Sequence, residues 1–288
     1  MYRIDCHVHP DYSPDAEGQI REYCQQAVRI GLNALCFTTH VDLCDEPVVV
    51  VAGEPIPSSD RRWLAAYCQE VETARSEFAG LGLKVLTGVE ADYFPGCERP
   101  LRDLLDGARL DYVMGSVHYL GQHVLTRRFS AEEYYRTTDV AEMARRYFEA
   151  VAAAATSGLF DAIGHIDIYR RFGEPIYGPP AAMIHRDYAQ PALRAIADAG
   201  VGIEINTSSI RRGAREVYPG ADLLEMCRKS GIRFVTIGSD AHSVDVLGSG
   251  LDAGYAALAA AGYDAVCTYE DRRPVAHALH GGGRSEEA

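Results

Sequence analysis

Hydrophobic and polar residues divide the chain into short apolar runs that alternate with longer amphipathic segments. The short runs have the length and composition of buried strands, whereas the longer segments are typical of helices. The predicted strands occupy residues 2–7, 32–38, 84–89, 112–117, 162–164, 201–205 and 234–238. The predicted helices occupy residues 18–31, 60–80, 98–107, 131–157, 182–199, 220–230 and 250–261.

Regular alternation of strand and helix predicts an α/β fold with a parallel sheet, and seven such units in 288 residues favour a barrel over an open sheet. The last apolar run, 265–269, fits either an eighth strand or an extension outside the barrel. We expect one domain over residues 1–270. The tail 271–288 contains three consecutive glycines and a polar end, so we expect it to be frayed.

Composition restricts the classes of partner and the cellular compartment that we expect for this protein. The formal net charge is −13, which argues against nucleic acid or an anionic membrane as a partner. The eight cysteines include no Cys-x-x-Cys pair, and we expect them to be reduced and mostly buried. No apolar leader or membrane-length apolar run is present, so we expect a cytoplasmic protein. The sequence sets no oligomeric state.

The connections between the predicted elements differ strongly in length. Returns from helix to strand are short and most contain glycine, as expected of helix ends that lead directly into strands. Connections from strand to helix are long, at 40–59, 118–130, 165–181 and 206–219. Long loops carry function, and barrel active sites lie at the carboxyl ends of the strands. The working face is therefore predicted at that end.

Side chains of the types that bind metals recur at this same end. His7 and His9 end the first strand two residues apart, so both face one side. Asp240 and His242 repeat that spacing at the seventh strand. One His-x-His pair alone would carry little weight, but the full set comprises His7, His9, Asp15, His40, Glu90, His118, His165, Asp240 and His242. The sequence thus predicts a metal centre.

These motifs resemble the polymerase and histidinol phosphatase (PHP) superfamily, and they look closest to its histidinol-phosphatase branch. The resemblance extends from Asp5-Cys6-His7-Val8-His9 to Gly238-Ser239-Asp240-Ala241-His242, with further similarity in 164–167 and 204–208. It implies a distorted (β/α)7 TIM-like barrel that holds three metal ions at the carboxyl ends of its strands. Thr39 and Pro10 depart from the usual pattern, but neither change removes a ligand.

The resemblance also implies how the ligands are shared. One ion would be held by His7, His9, Glu90 and Asp240. Glu90 would bridge to a second ion held also by His118 and His165, and Asp15, His40 and His242 would hold the third. The activity implied by the resemblance is hydrolysis of L-histidinol phosphate to L-histidinol and phosphate, a step of histidine biosynthesis.

The ligand types favour the same chemistry without reference to the family. Imidazole and carboxylate ligands suit Zn, Mn or Fe and do not choose among them. Three divalent ions, offset by three carboxylates and one hydroxide, leave about two positive charges, which match a phosphomonoester dianion. We therefore expect attack by a metal-bound hydroxide on a small phosphorylated substrate. The general acid stays open between metal-bound water and a carboxylic acid.

Paired arginines follow two of the strands that carry this site. Arg170 and Arg171 follow His165, whereas Arg211 and Arg212 follow the sixth strand. In an acidic chain such pairs are candidate phosphate clamps, although one member of each pair could equally be a surface residue.

Other polar residues near the site could orient its ligands. Asp5, Asp42 and Asp167 each lie two residues from a candidate ligand histidine and fit this role as well as solvent exposure. Glu204 and Asn206 end the sixth strand on the same face. The remaining histidines read as surface residues: His123, His185, His277 and His280.

Two alternative functions remain open at this point. One is a phosphatase that acts on another small phosphomonoester or on a nucleotide. The other is a noncatalytic PHP module, which the filled ligand positions and the lack of a second domain oppose. A metal-dependent amidohydrolase is disfavoured because Glu90 occupies the bridging position where that class usually has a lysine-type bridge.

Overall fold

The computed structural model describes residues 1–44, 47–51 and 53–279. Its strands are β1 (Ile4–Val8), β2 (Ala34–Val41), β3 (Val48–Val51), β4 (Glu54–Pro57), β5 (Lys84–Asp92), β6 (Tyr112–Ser116), β7 (Tyr119–Leu120), β8 (His123–Val124), β9 (Ala162–Ile163), β10 (Gly202–Asn206), β11 (Val235–Gly238), β12 (Ala265–Glu270) and β13 (Arg273–Ala278). Its α-helices are α1 (Ile20–Arg29), α2 (Arg61–Phe78), α3 (Glu98–Leu105), α4 (Arg128–Thr137), α5 (Val140–Thr156), α6 (Arg170–Tyr177), α7 (Pro179–Met183), α8 (His185–Tyr188), α9 (Gln190–Ala199), α10 (Ser208–Arg211), α11 (Ala221–Lys229) and α12 (Leu251–Ala260).

Seven parallel strands form one sheet in the order β1-β2-β5-β6-β9-β10-β11. The two outer strands approach each other where the backbone nitrogen of His9 donates to the carbonyl of Ala241 at 2.8 Å. The sheet is therefore a nearly closed barrel surrounded by helices, and the predicted seven-stranded barrel is confirmed. Strands β1, β6, β10 and β11 are buried along their whole length, as their continuous apolar runs require.

Two predicted helices are interrupted. The segment predicted as one helix over 131–157 is α4 and α5, because Thr138 is extended and Asp139 begins α5 by accepting a hydrogen bond from the backbone nitrogen of Ala141 at 2.8 Å. The segment predicted as one helix over 182–199 comprises the end of α7, then α8 and α9, and Pro191 occupies the first turn of α9. Proline is tolerated there because the first amides of a helix need no intrahelical partner.

The C-terminal strands correct the predicted tail. Residues 265–269 lie in β12, which pairs antiparallel with β13 in a hairpin separate from the barrel sheet. The prediction of a frayed tail is therefore wrong for Arg273–Ala278, and the predicted boundary at residue 270 falls within the hairpin. Its apolar residues have a partner: Tyr269 is buried and stacks on Tyr112 with ring centroids 5.0 Å apart. The rest of the predicted tail, 280–288, lies outside the described residues.

The loops at the carboxyl ends of the strands contain secondary structure of their own. The connection after β2 includes the hairpin β3–β4, and the connection after β6 includes the hairpin β7–β8. The connection after β9 includes α6. Among the described residues, no helix has the length and apolar character needed to cross a membrane.

Candidate metal centre

The nine candidate ligands converge at the carboxyl ends of the barrel strands. Two of them lie inside strands that run further than predicted, since β2 includes His40 and β5 includes Glu90. His40 and Glu90 are directly paired across these strands, which brings His40 Nδ1 to 3.0 Å from Glu90 Oε2. Parallel register therefore turns two distant sequence positions into direct neighbours.

Glu90 lies at the centre of the cluster. Its Oε2 atom is 3.2 Å from His7 Nε2 and 3.5 Å from His9 Nε2. Its Oε1 atom is 3.0 Å from His165 Nε2 and 3.5 Å from His118 Nε2. The two carboxylate oxygens thus face two different groups of imidazoles, which is the geometry that a bridging ligand requires.

Three groups of potential ligand atoms each fit within 4.8 Å. They are His7, His9 and Asp240; Glu90, His118 and His165; and His9, His40 and His242. Asp15 lies beside the third group, with carboxylate oxygens 3.7 Å from His40 Nε2 and 3.4 Å from His242 Nε2. These groups differ from the implied ligand sets in two respects: Glu90 is grouped with His118 and His165 but not with His7, His9 and Asp240, and His9 takes the place of Asp15 beside His40 and His242.

The three groups differ in exposure to solvent. The side chains of His7 and His9 are fully buried, whereas that of Asp15 is 62% exposed. His40 and His242 have intermediate exposure. The third group therefore forms the solvent side of the cluster, and the other two groups form its interior.

The donor atoms fit divalent cations. Within the described part of the chain, His7 Nε2 and His9 Nε2 are buried without a hydrogen-bond partner, and both lie beside oxygens of Glu90 and Asp240. Buried polar atoms are normally paired, so these unpartnered nitrogens beside carboxylate oxygens fit a bound cation. Imidazole and carboxylate are suitable ligands for Zn and related divalent ions. Divalent metal use is consistent with every residue of the cluster.

The electrostatics of the cluster show the same need for positive charge. Burial alone would raise the pKa of Glu90, but His7 and His118 hold it well below its usual value. Burial likewise opposes protonation of His40, yet Glu90 and Asp15 raise its pKa to about 9. Without a cation, a proton on His40 offsets the carboxylates, and a bound metal would replace it. Burial and the neighbouring imidazoles instead hold the pKa of His9 well below its usual value.

In three of the candidate ligand histidines, an oxygen atom contacts Nδ1, while Nε2 faces the cluster. His7 Nδ1 lies 2.6 Å from Glu204 Oε1, and His118 Nδ1 lies 2.6 Å from Asp92 Oδ1. His9 Nδ1 lies 3.3 Å from the hydroxyl oxygen of Ser13. Such contacts fix the tautomer and orientation of a ligand histidine.

Sequence reasoning proposed Glu204 for this role and missed Asp92 and Ser13. A signal existed for Asp92, which follows Glu90 by two residues and shares its face of the strand. Asp5 and Asp167, which were candidates, serve backbone groups instead. Asp5 accepts from the backbone nitrogens of Ser239 and Gly248, and Asp167 accepts from the backbone nitrogen of Gly220.

Unusual backbone geometry occurs at two of the candidate ligands. His165 has φ 22° and Asp240 has φ 54°, a region that residues other than glycine rarely adopt. Strain of this kind persists where the surroundings enforce it, often at functional sites. Gly238 allows the close approach of two strands, because a Cβ atom there would lie 2.2 Å from His7 Cβ.

A cavity of about 580 Å³ opens above the cluster. Three of the four predicted phosphate-binding arginines line it: Arg171, Arg211 and Arg212. Burial and the nearby Arg212 lower the pKa of Arg171, so an anion between these two cations would relieve their repulsion. Arg211 donates to the carbonyl oxygens of Ser239 and Asp240, at 3.0 Å each.

Arg170 is not among the residues that line this cavity. It contacts Asp167 at 3.2 Å, Glu216 at 3.4 Å and also Glu174. Its guanidinium is therefore engaged by carboxylates between the barrel and the helices, although the adjacent Arg171 reaches the cavity. Helical geometry explains the difference, since consecutive residues of α6 point about 100° apart.

The remaining histidines lie apart from the cluster. His185 was expected at the surface but is buried, with Nε2 2.8 Å from Asp222 Oδ2. His123 packs against Tyr134, and His277 stacks on Tyr2. His280 lies outside the described residues.

Comparison with known proteins defines the class first. The PHP domain model matches residues 5–208, which include seven of the nine candidate ligands, and the chain belongs to the PHP domain family. A probable histidinol-phosphatase of Deinococcus radiodurans is 38% identical over 252 residues, covering 85% of this chain and 88% of the relative. The histidinol-phosphatase of Lactococcus lactis is 27% identical over 244 residues, covering 84% and 85%.

A solved structure shows the same fold. Histidinol phosphate phosphatase from Lactococcus lactis, in complex with zinc, L-histidinol and phosphate, aligns with a TM-score of 0.78 at 24% identity. The alignment covers 95% of this chain and 98% of that one. The resemblance found in the sequence to the histidinol-phosphatase branch is therefore confirmed.

Proposed function

We propose that this protein is a metal-dependent phosphomonoesterase that hydrolyses L-histidinol phosphate to L-histidinol and phosphate. The observation that carries the proposal is the convergence of nine candidate metal ligands around Glu90 at the floor of one cavity. Histidine biosynthesis would be its pathway and the cytoplasm its compartment.

We propose three divalent ions, Zn, Mn or Fe, held by the groups described above. His7, His9, Glu90 and Asp240 would hold the first, and Glu90, His118 and His165 the second. Asp15, His40 and His242 would hold the third. Bound divalent ions would lower the pKa of a coordinated water and offset the charge of the phosphoryl group.

The side chains around the cluster would bind and orient the ester. Arg171 and Arg212 line the cavity and would donate to phosphoryl oxygens, which guanidinium groups suit because they donate two parallel hydrogen bonds. Glu204 and Asp92 would hold His7 and His118 in fixed orientations. Arg170 has no part in this proposal, since carboxylates engage it away from the cavity.

The choice of substrate is supported by the distribution of charge in the cavity. Arg171, Arg211 and Arg212 line it from the fifth and sixth barrel strands and Arg127 from the connection after the fourth, whereas Asp42 and Asp92 line it from the second and third strands. A small ester with an anionic phosphate and a cationic amine matches this distribution. The relatives named above are histidinol-phosphatases, which points to the same substrate.

The test is a comparison of substrates with protein purified without chelator. We expect kcat/KM for L-histidinol phosphate to exceed that for p-nitrophenyl phosphate and for nucleoside monophosphates by at least about a hundredfold. Equal values would reject the proposed substrate and leave a general phosphatase. Less than one metal equivalent, with no hydrolysis after addition of Zn, Mn or Fe, would establish the noncatalytic alternative.

A further inference from the structure

Ser13 lies within the metal centre without being one of its candidate ligands. The residue is fully buried, and its hydroxyl oxygen lies 3.3 Å from His9 Nδ1 and 2.9 Å from Thr39 Oγ1. It also accepts a hydrogen bond from the backbone nitrogen of His40 at 3.0 Å. One hydroxyl group thus contacts the ring of one candidate ligand and the backbone of another.

The hydrogen-bond capacity of this hydroxyl group leaves two arrangements. A serine oxygen accepts two hydrogen bonds and donates one, and the amide of His40 fills one acceptor position. In the first arrangement Ser13 accepts from His9 Nδ1–H and donates to Thr39. In the second, Ser13 accepts from Thr39 and donates to His9 Nδ1, so that the proton of the neutral imidazole lies on Nε2.

Only the first arrangement leaves His9 able to bind a metal ion. His9 Nε2 faces the cluster, 3.5 Å from Glu90 Oε2 and 3.6 Å from Asp240 Oδ1. A nitrogen that binds a metal must carry no proton. The ring proton must then lie on Nδ1, where Ser13 provides the acceptor.

We propose that Ser13 and Thr39 act as a hydroxyl pair that positions His9 as a metal ligand. Thr39 accepts the Ser13 proton, which obliges Ser13 to accept the Nδ1 proton of His9 and leaves Nε2 free. The inference rests on the proposed function in one respect, namely that the cluster binds cations. It assigns a role to Thr39, one of the two positions at which the sequence departs from the usual family pattern.

In the proposed arrangement, the Thr39 hydroxyl must accept the hydrogen bond from Ser13, although Thr39 is not itself a candidate ligand. In Thr39→Val, the Ser13 proton has lost its acceptor in the metal-binding arrangement, and a buried unsatisfied donor is unfavourable. Donation to His9 Nδ1 satisfies that proton but blocks metal binding. Thr39→Ser retains the acceptor. We therefore expect weaker metal binding in the valine variant and recovery in the serine variant.

The first experiment measures zinc affinity by competition with a chromophoric chelator. We expect Ser13→Ala and Thr39→Val each to weaken zinc binding at one site by about 10-fold to 100-fold, the usual effect of removing a group behind a ligand. Thr39→Ser should bind nearly as the wild type does. The double variant Ser13→Ala/Thr39→Val should match Ser13→Ala, because Thr39 acts only through Ser13.

The matched control is Thr268→Val. The hydroxyl of Thr268 is also buried and lies 2.9 Å from a histidine nitrogen, His277 Nε2, but in the hairpin β12–β13. Its loss should leave zinc affinity unchanged. A comparable loss of affinity in this control would overturn the assignment of a specific role to Thr39.

The second experiment reads the tautomer directly. In zinc-loaded protein with ¹⁵N-labelled histidine, the His9 signals should show a protonated Nδ1 and a zinc-bound Nε2, and Thr39→Val should reduce that population. This spectrum keeps the inference testable if Ser13→Ala fails to fold. Wild-type affinity in Thr39→Val would overturn the inference alone, whereas absence of zinc binding by the wild type would overturn the proposed function as well.

Discussion

The two ends of the barrel place buried polar groups in opposite situations. At the carboxyl ends of the strands, His7 Nε2 and His9 Nε2 have no hydrogen-bond partner among the described residues. At the amino ends, Asp111 accepts from Arg75 at 2.5 Å and from the backbone nitrogen of Thr87 at 2.9 Å. The unpartnered nitrogens at the carboxyl ends fit a bound cation, whereas the Asp111 carboxylate at the amino ends is satisfied by groups of the protein itself.

The hairpin β12–β13 packs against the amino-terminal end of the barrel. Tyr269 packs on Tyr112 and donates to the carbonyl of Asp161 at 2.9 Å, and Arg272 forms an ion pair with Asp161. These contacts tie the hairpin to the starts of the barrel strands. The comparison teaches that stability and chemistry are separated along the barrel axis, so substitutions at the two ends should change different measurements.

The largest loss of activity is expected from a substitution of Glu90, at the centre of the cluster of candidate metal ligands. Glu90→Gln keeps the size of the side chain but removes its charge and one acceptor oxygen, so it cannot bridge two groups of imidazoles. We expect kcat/KM to fall by about a thousandfold or more, with loss of bound metal by elemental analysis. Activity within tenfold of the wild type, with a full metal content, would contradict the bridging role.

Arg170 and Arg171 are adjacent in α6, and their alanine variants should separate an effect on substrate binding from an effect on stability. Arg171→Ala removes a cation from the cavity, and we expect KM for the phosphate ester to rise about 10-fold with little change in melting temperature. Arg170→Ala leaves the buried Asp167 without its ion pair, and we expect a loss of about 3 kcal/mol of stability with nearly unchanged kinetics.

Urea denaturation and steady-state kinetics of both arginine variants provide the measurement. If Arg170→Ala impaired KM more than Arg171→Ala did, the assignment of the two side chains to different environments would be wrong. Arg171→Lys serves as the conservative control, because it keeps the charge but loses the planar donor pair.

At the amino-terminal end of the barrel, Tyr269→Ala should affect stability alone. The variant removes a buried ring and its hydrogen bond to Asp161, and we expect a loss of about 3 kcal/mol in urea denaturation. With the metal sites loaded, kcat/KM should remain within about twofold of the wild type. A tenfold loss of activity in the folded variant would show that the two ends are coupled.

The smallest change in stability is expected when the metal is removed from the wild-type protein. A cation present at a hundred times its dissociation constant stabilises the folded state by about 2.7 kcal/mol, so chelation should lower the melting temperature by several degrees. Differential scanning fluorimetry with and without chelator gives the shift. Glu90→Gln should show a much smaller shift, and an equal shift in that variant would place the stabilising ion elsewhere.

The sequence anticipated the barrel because strand and helix periodicities are local properties. Continuous apolar runs fixed the positions of the seven barrel strands to within a few residues, and glycines after the helices marked the short returns. Interruptions were harder to see. The break before Asp139 depends on one side chain that caps a helix, and such capping competes with an otherwise continuous helical pattern.

The candidate ligands could be chosen from the sequence for a simple reason. In a parallel barrel all strand ends point the same way, so residues that end successive strands meet without further information. Neither the environment of Arg170 nor the pairing of residues 273–278 could be obtained in this way. Both depend on which surfaces come into contact in the folded protein, and the order of residues along the chain does not specify those contacts.

By itself, then, the sequence determined the class of fold, the face that carries chemistry and the residue types that gather there, because these follow from periodicity and strand direction. Tertiary structure alone decided that Glu90 contacts both groups of imidazoles, that Ser13 lies behind His9, and that only one of two adjacent arginines reaches the cavity. These outcomes depend on register and side-chain direction between segments far apart in the chain, and local patterns carry no information about either.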